Sequence, residues 1–472
     1  MAKQISHADL QIRILELENE GYPVEITFFG EQEFPRGYLD PGELPWVAGS
    51  SPIEDGERLF EWLFADDQLK TVWAEVRGQR PQRRIRLRID AEAPELHAIP
   101  WELLRDNSSS TAQDISAATT TPFSRYLAGQ WQPGGPILQR PIKILLAIAN
   151  PENIADFDLA SLEVDKEIEL IEAATKDLDV ELTTLDQPVT LAAIETAIED
   201  GHHIIHFVGH GTFSERRNHA QIFLADNDNQ VALVKDSEFA EMIANHLSDE
   251  ERPSDDKLRM VFLASCQTAT RSSADPFRGF APALVQVGLP AVVAMQDLVP
   301  IETAQAFSTT FYQRLIDHGT VDLASNEARS ALITADLPGS AIPVLFMRLQ
   351  SGLLFAERGQ ILGDRADSFW NTLLDNIADG ECTPFLGPGV TTNMLPSKDE
   401  MARTLARDYS YPFPDRSNLP KVAQFVGTLD NRRLRRDVLN INIGRFKEVM
   451  QLKRDRKDRR ATLSETIDKS DW

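Results

Sequence analysis

The stretch PIKILLAIANP, residues 141–151, is a short continuous apolar run that stops at Asn-Pro. Such a run, with no polar alternation, is expected of a parallel strand covered on both faces. Working outward from it, residues 160–177 carry helical periodicity with charges on the other face. VELTTLD (180–186) reads as a second strand, and TLAAIETAIEDG (190–201) as a helix closed by Gly201. HIIHFVG (203–209) is a third strand, EFAEMIANHL (238–247) a helix, and LRMVFLASC (258–266) a fourth strand. GFAPALVQVG (279–288) is helical, PAVVAMQD (290–297) is a fifth strand, and IETAQAFSTTFYQRLIDHG (301–319) is a long helix ending at Gly319. Strands and helices alternating through short connections predict an α/β fold: a mostly parallel, doubly wound sheet with helices on both faces.

The flanks are less regular. Residues 9–20 are helix-compatible, and β-rich and turn-rich segments alternate from YPVEITFFG onward. RRIRLRID (83–90) alternates basic and apolar residues, which predicts a half-buried strand. Pro100, in LHAIPWELLRD, marks a helix start. WQPGGP (131–136) is the first clear punctuation. The expected organisation is an N-terminal α/β part over 1–135, a main α/β domain over 136–356, a linker over 357–366, and a smaller, mainly helical unit over 367–472. The charged end of the chain, 453–472, reads as a solvated helix or frayed tail, and no fixed-period repeat is visible.

The formal net charge is −25. Such a surface repels phosphates and anionic membranes, so nucleic acid is not expected as a partner, whereas basic peptides are attracted. The polar N-terminus lacks an apolar leader, and no run approaches the length of a membrane span. The two cysteines, Cys266 and Cys382, exclude a disulfide framework and fit a reducing cytoplasm. Their spacing also argues against a structural zinc site, and no metal is expected.

Two residues carry candidate chemistry. His210 lies just past the third strand and Cys266 at the end of the fourth. In open α/β sheets ligands bind beyond the carboxyl ends of the strands, so neighbouring strands would deliver imidazole and thiol to one rim. The imidazole would lower the thiol's pKa and later protonate the departing amine. Gly211 has no side chain, so its N–H, with that of Cys266, would form an oxyanion hole. Gly209 lets the chain turn sharply. Two other readings stay open: a strand-end cysteine as an inert core thiol, and a histidine between glycines as a phosphate or metal contact. His206 reads as a core or supporting histidine, and His202 and His203 as surface residues at the start of the strand.

HIIHFVGHG followed by VFLASCQTA resembles the CHAT domain, a caspase-like cysteine peptidase of clan CD related to separase and the caspases. IPWELLRD and PFSRYL resemble its upstream part, residues 277–332 the region after the cysteine, and AIPVLFMRLQSGLLF its end. The resemblance covers roughly residues 20–356. It implies a caspase-like fold, a His210–Cys266 dyad, an oxyanion contact from Gly211, and a protein or peptide substrate. It also implies an activating protein partner and a triggered role in bacterial signalling or anti-phage defence. Relatives often hold a basic side chain with an acidic residue. Asp297 in AMQDLVP is the candidate by position, with a helix cap or solvent contact as the other reading, and Asp275 on the loop after Cys266 is a second candidate. The caspase signature around the cysteine is absent, so specificity for aspartate is not implied. The alternative is a non-enzymatic scaffold, or a regulator of an NAD-binding effector.

That effector would be the C-terminal unit. TPFLGPGVTTNMLPSKDEMARTLARDY (383–409) feeds an apolar strand into Gly-Pro-Gly and a helix, a phosphate-loop arrangement. It resembles the opening of SIR2-like domains, which implies NAD as the cofactor. Pro388 departs from the small residue usual there, and the later elements of such a domain have no counterpart before Trp472. Cys382 reads as structural.

Overall fold

The computed structural model describes residues 7–29, 32–42, 51–90, 92–127, 135–214, 219–249, 251–264, 279–297, 299–356, 398–413 and 415–449. Two compact units are present, Met1–Gly363 and Asp364–Trp472.

The first unit is built on one large sheet. Its N-terminal half contains β1 (Ala8–Ile14), β2 (Tyr22–Phe28), β3 (Gln32–Glu33) and β4 (Gly37–Leu39). Helices α1 (Pro52–Leu63) and α2 (Asp67–Gln79) lead to β5 (Arg83–Ile89). A short helix α3 (Pro94–His97), a 3-10 turn (Trp101–Leu103) and the small hairpin β6 (Arg105–Asp106) and β7 (Gln113–Asp114) precede β8 (Phe123–Tyr126). The C-terminal half runs β9 (Ile142–Ile148), α4 (Val164–Thr175), β10 (Val180–Thr184), α5 (Leu191–Glu199) and β11 (Ile204–Val208). A separate antiparallel sheet follows: β12 (Gly211–Ser214), β13 (His219–Ala225) and β14 (Val231–Lys235). The chain returns through α6 (Asp236–Ser248), β15 (Met260–Ala264), α7 (Phe280–Gln286), β16 (Ala291–Met295), α8 (Ile301–His318), α9 (Val321–Thr334) and β17 (Pro343–Met347).

Strand order in the large sheet is β10-β9-β11-β15-β16-β17-β8-β5-β1-β2-β3, with β4 beside β2. The first five strands are parallel and β17 is antiparallel to β16. β8 then pairs parallel to β17, and β5 and β1 follow in parallel. The two halves therefore share one sheet, joined where Phe346 faces Arg125.

The apolar runs that predicted buried strands are covered on both sides. Leu145, Ala147, Ile205, Phe207, Val261, Leu263, Val292 and Ala294 pack under α5, α6 and α7. On the other face Ile144, Ile204, Met260, Phe262 and Val293 pack against α8 and α9 through Phe307, Phe311, Leu315 and Ala328. The long helix α8 ends as the sequence predicts, with Gly319 left-handed at φ +73. The second unit carries the helices Lys398–Asp408 and Leu419–Val449, packed through Leu405, Ala406, Val422 and Val426. Cys382 and the Gly-Pro-Gly stretch lie outside the described residues.

Three expectations change. Residues 8–14 form a strand, because Leu10, Ile12 and Ile14 alternate and pair with both β2 and β5. β5 is central and not half-buried: Arg84 meets the fully buried Asp322 of α9, and Arg86 meets Asp9. His202 and His203 are buried, because their rings satisfy backbone groups at the start of β11. His202 Nδ1 bonds to the Ala197 carbonyl at 2.6 Å, closing α5. His203 accepts the Lys143 N–H at Nδ1 (3.0 Å), which leaves Nε2–H to donate to the Asp255 carbonyl at 2.8 Å.

Candidate active site

β9, β11, β15 and β16 are parallel neighbours, so whatever follows each strand emerges at one end of the sheet. Val208 faces Ala264 across the β11–β15 pair. The ladder runs one step further, with the Gly209 N–H donating to the Ala264 carbonyl at 3.3 Å. His210 comes next. Cys266 is two residues beyond Ala264 in the sequence; it and Asp275 lie outside the described residues.

Gly209 is required by crowding. A Cβ there would come within 2.5 Å of the Phe207 ring, itself buried in the core. The backbone therefore passes tightly over Phe207 before it delivers His210.

His210 is only 4% exposed and is held from two sides. Its carbonyl accepts the Phe223 N–H at 3.0 Å, which ties it to β13. Its Nε2 meets the Ala160 carbonyl at 2.8 Å. A carbonyl only accepts, so Nε2 carries the proton and Nδ1 is the unprotonated, basic nitrogen. Burial pushes the imidazole below its usual 6.5, and the Ala160 hydrogen bond works in the opposite direction. The segment that carries Ala160 is itself pinned by Asn150. That side chain accepts the Leu162 N–H at 2.9 Å and donates to the Leu162 carbonyl at 3.3 Å. The sequence marked Asn150 only as the end of a strand. Its supporting role depends on a contact twelve residues away in the chain.

Gly211 opens β12 opposite Ile222. The Phe223 N–H bonds to the residue before Gly211, so Gly211 and Ile222 form a non-hydrogen-bonded pair. The Gly211 N–H is thereby turned away from β13. The hairpin β13–β14 had a sequence signal that was missed: two apolar runs around Asp-Asn-Asp-Asn, residues 226–229, a turn cluster.

His206 lies inside the sheet's core. Its ring stacks on Phe262 at 4.6 Å, and its Nδ1 bonds to the Tyr312 hydroxyl at 2.7 Å. Full burial lowers its pKa to about 3, so it stays neutral. It supports β11 and takes no part at the rim. Asp297 is exposed, two residues past the end of β16 at the same end of the sheet as His210. Among the described residues no cluster of three or more His, Cys, Asp or Glu side chains could hold a metal ion.

The CHAT domain model matches residues 54–358. The chain belongs to the CHAT domain family. The match begins within α1, so it takes in the C-terminal half of the sheet together with β5 and β8 of the N-terminal half, while β1–β4 precede it. No curated protein sequence matches the chain. Among solved structures, the Saccharomyces cerevisiae separase–securin complex is similar at 14% identity and a TM-score of 0.32. That similarity covers 60% of this chain and 16% of the other. The Arg-specific cysteine proteinase gingipain R is similar at 14% identity and a TM-score of 0.27, covering 45% of this chain and 47% of the other. The complex of Porphyromonas gingivalis RgpB pro- and mature domains is similar at 13% identity and a TM-score of 0.29, covering 60% of each chain. The expected α/β class, a mostly parallel sheet with helices on both faces, is the one observed in this CHAT protein. No helix among the described residues is long and apolar enough to cross a membrane.

Proposed function

We propose that this CHAT protein is a cysteine endopeptidase. In this reading Nδ1 of His210 takes the proton of the Cys266 thiol, and the thiolate attacks the scissile carbonyl. The Gly211 and Cys266 N–H groups stabilise the oxyanion. His210 then returns its proton to the leaving amine. Water hydrolyses the resulting thioester, releasing the acid and restoring the thiol. The observation that carries the reading is the tautomer of His210: a histidine at the rim of the parallel strands, with Nε2 committed to a carbonyl and Nδ1 left basic. The outward N–H of Gly211 supports the oxyanion role.

Asp297, exposed on the same rim, is proposed to pair a basic side chain of the substrate, with Asp275 as a second acidic contact. A cytoplasmic, partner-triggered role in bacterial signalling or defence belongs to the same reading and rests on the family resemblance. The test is labelling by a peptidyl acyloxymethyl ketone with arginine beside the warhead, followed by mass spectrometry. Wild-type protein is expected to react at Cys266 in preference to Cys382, and His210→Ala and Cys266→Ala to lose that reaction. Equal labelling of both cysteines, or unchanged labelling in His210→Ala, would falsify the proposal.

A further inference from the structure

Two buried arginines reach from the N-terminal half of the sheet, or brace it, toward the corner that carries Asp297. Arg125 on β8 is 3% exposed and lies over the Phe346 ring. Its guanidinium forms a two-point pair with Glu102, Nε to Oε1 at 3.0 Å and Nη2 to Oε2 at 2.7 Å. Nη1 donates to the His97 carbonyl at 2.9 Å, and Nη2 to the Ile99 carbonyl at 3.1 Å. Nη2 also reaches the side-chain oxygen of Gln296 at 3.4 Å. Gln296 is the first residue after β16 and the last before Asp297. Arg329 on α9 is 1% exposed. It donates to the Pro343 carbonyl from Nε (3.3 Å) and Nη2 (2.8 Å), and to the Ser116 carbonyl from Nη1 (3.1 Å). Pro343 faces Met295 across the β16–β17 pair, and the Gln296 N–H bonds to the Ile342 carbonyl at 3.1 Å.

We infer that Arg125 and Arg329 are positioning residues for the substrate-binding rim: they clamp the β16–β17 corner and so fix where Asp297 stands. Asp297 follows Gln296 directly. Here the residue before it is bonded through both backbone and side chain, and the strand opposite is bonded through Pro343. The geometry that matters for a basic side chain is thus set away from the rim, by Arg329 of α9 and by Arg125 of the N-terminal half, whose guanidinium plane Glu102 fixes. The inference rests on the peptidase reading and on Asp297 within it.

Gln296→Met is the decisive variant. It removes the acceptor, keeps the length, and leaves the Glu102–Arg125 pair intact, so folding is not threatened. The readout is the reaction of the arginyl acyloxymethyl ketone with full-length protein, separated into its affinity (KI) and its maximal rate (kinact). The clamp predicts that KI rises about five-fold or more while kinact changes less than about two-fold, because a displaced rim weakens binding without touching the dyad. A merely structural role would raise KI and lower kinact together, or change neither. Asp297→Asn serves as the reference and should raise KI further. If Asp297→Asn raises KI and Gln296→Met does not, the clamp is overturned and the peptidase reading stands. If neither variant alters KI in a reactive enzyme, the rim carboxylate and the clamp both fall. A wild-type protein that never labels at Cys266 removes the peptidase reading and the clamp with it. Arg329→Lys, which cannot bond the Pro343 carbonyl from two nitrogens, should raise KI in the same way where it folds; Gln296→Met decides the case where it does not.

Discussion

The Nε2 atom of His210 lies 2.8 Å from the carbonyl oxygen of Ala160, and this contact fixes the chemistry of the ring. It assigns the proton to Nε2 and the free lone pair to Nδ1. Nitrogen NMR of histidine-labelled protein at pH 7.5 should therefore show Nδ1 of His210 as the unprotonated nitrogen. Because burial lowers its pKa below 6.5, the ring stays neutral through neutral pH. Thiol reactivity should hold steady from pH 8 down to about 6.5 and fall only as the pH drops through the lowered folded value. An acid limb centred above 6.5 would contradict this.

Gly209 is the second point at which the site depends on one residue. A Cβ would meet the Phe207 ring at 2.5 Å, and Phe207 is buried in the core under α5, α6 and α7. Gly209→Ala should cost about 1–3 kcal/mol of stability, the usual range for overpacking. It should also lower thiol labelling more than the stability loss alone explains, because relief requires a shift of the backbone that carries His210. Denaturant unfolding and labelling on the same preparation separate the two effects.

The core strands and their order of appearance were legible in the sequence because buried parallel strands show as unbroken apolar runs between helical segments. His210 was legible for the same reason: it stands immediately after such a run. The N-terminal strand β1 was not, since Leu10 and Ile14 also satisfy helical spacing. Only pairing with β2 and β5 decides for the strand. The burial of His202 and His203 was hidden because their partners, Ala197, Lys143 and Asp255, are set by tertiary structure. The Glu102–Arg125–Gln296 chain was hidden likewise, spanning 171 positions between Arg125 and Gln296.

Buried neutral histidines make the fold acid-sensitive. Burial lowers the pKa of His206 to about 3 and, as the largest cause, those of His203 and His246 to about 4. The unfolded chain binds these protons near 6.5 and the folded chain does not. Their contribution is therefore fully present above pH 6.5 and is lost as the pH falls from there toward 4. His206→Phe keeps a ring against Phe262 and removes one titrating group. It should lower stability at pH 7, because the Tyr312 hydroxyl loses its partner. The slope of stability against pH between 6.5 and 4 should also become shallower, by up to about 1.4 kcal/mol per pH unit. Denaturation series at several pH values measure both. A slope equal to that of the wild type would mean that His206 is protonated in the folded state.

The pair between Glu102 and Arg125 ties the 3-10 turn to β8 within the N-terminal half, where almost no water reaches: the side chains are 1% and 4% exposed. Removing one partner leaves the other charge buried alone. Glu102→Leu or Arg125→Leu should each cost about 3–5 kcal/mol, the range for breaking a buried ion pair. The double variant should recover part of that loss, since two apolar side chains strand no charge. The surface pair between Lys166 and Glu163, both more than half exposed, should show no such coupling and change stability by under about 1 kcal/mol. A double-mutant cycle by urea unfolding gives the coupling energy directly. Strict additivity at Glu102 and Arg125 would mean that the pair is not what holds the 3-10 turn against β8.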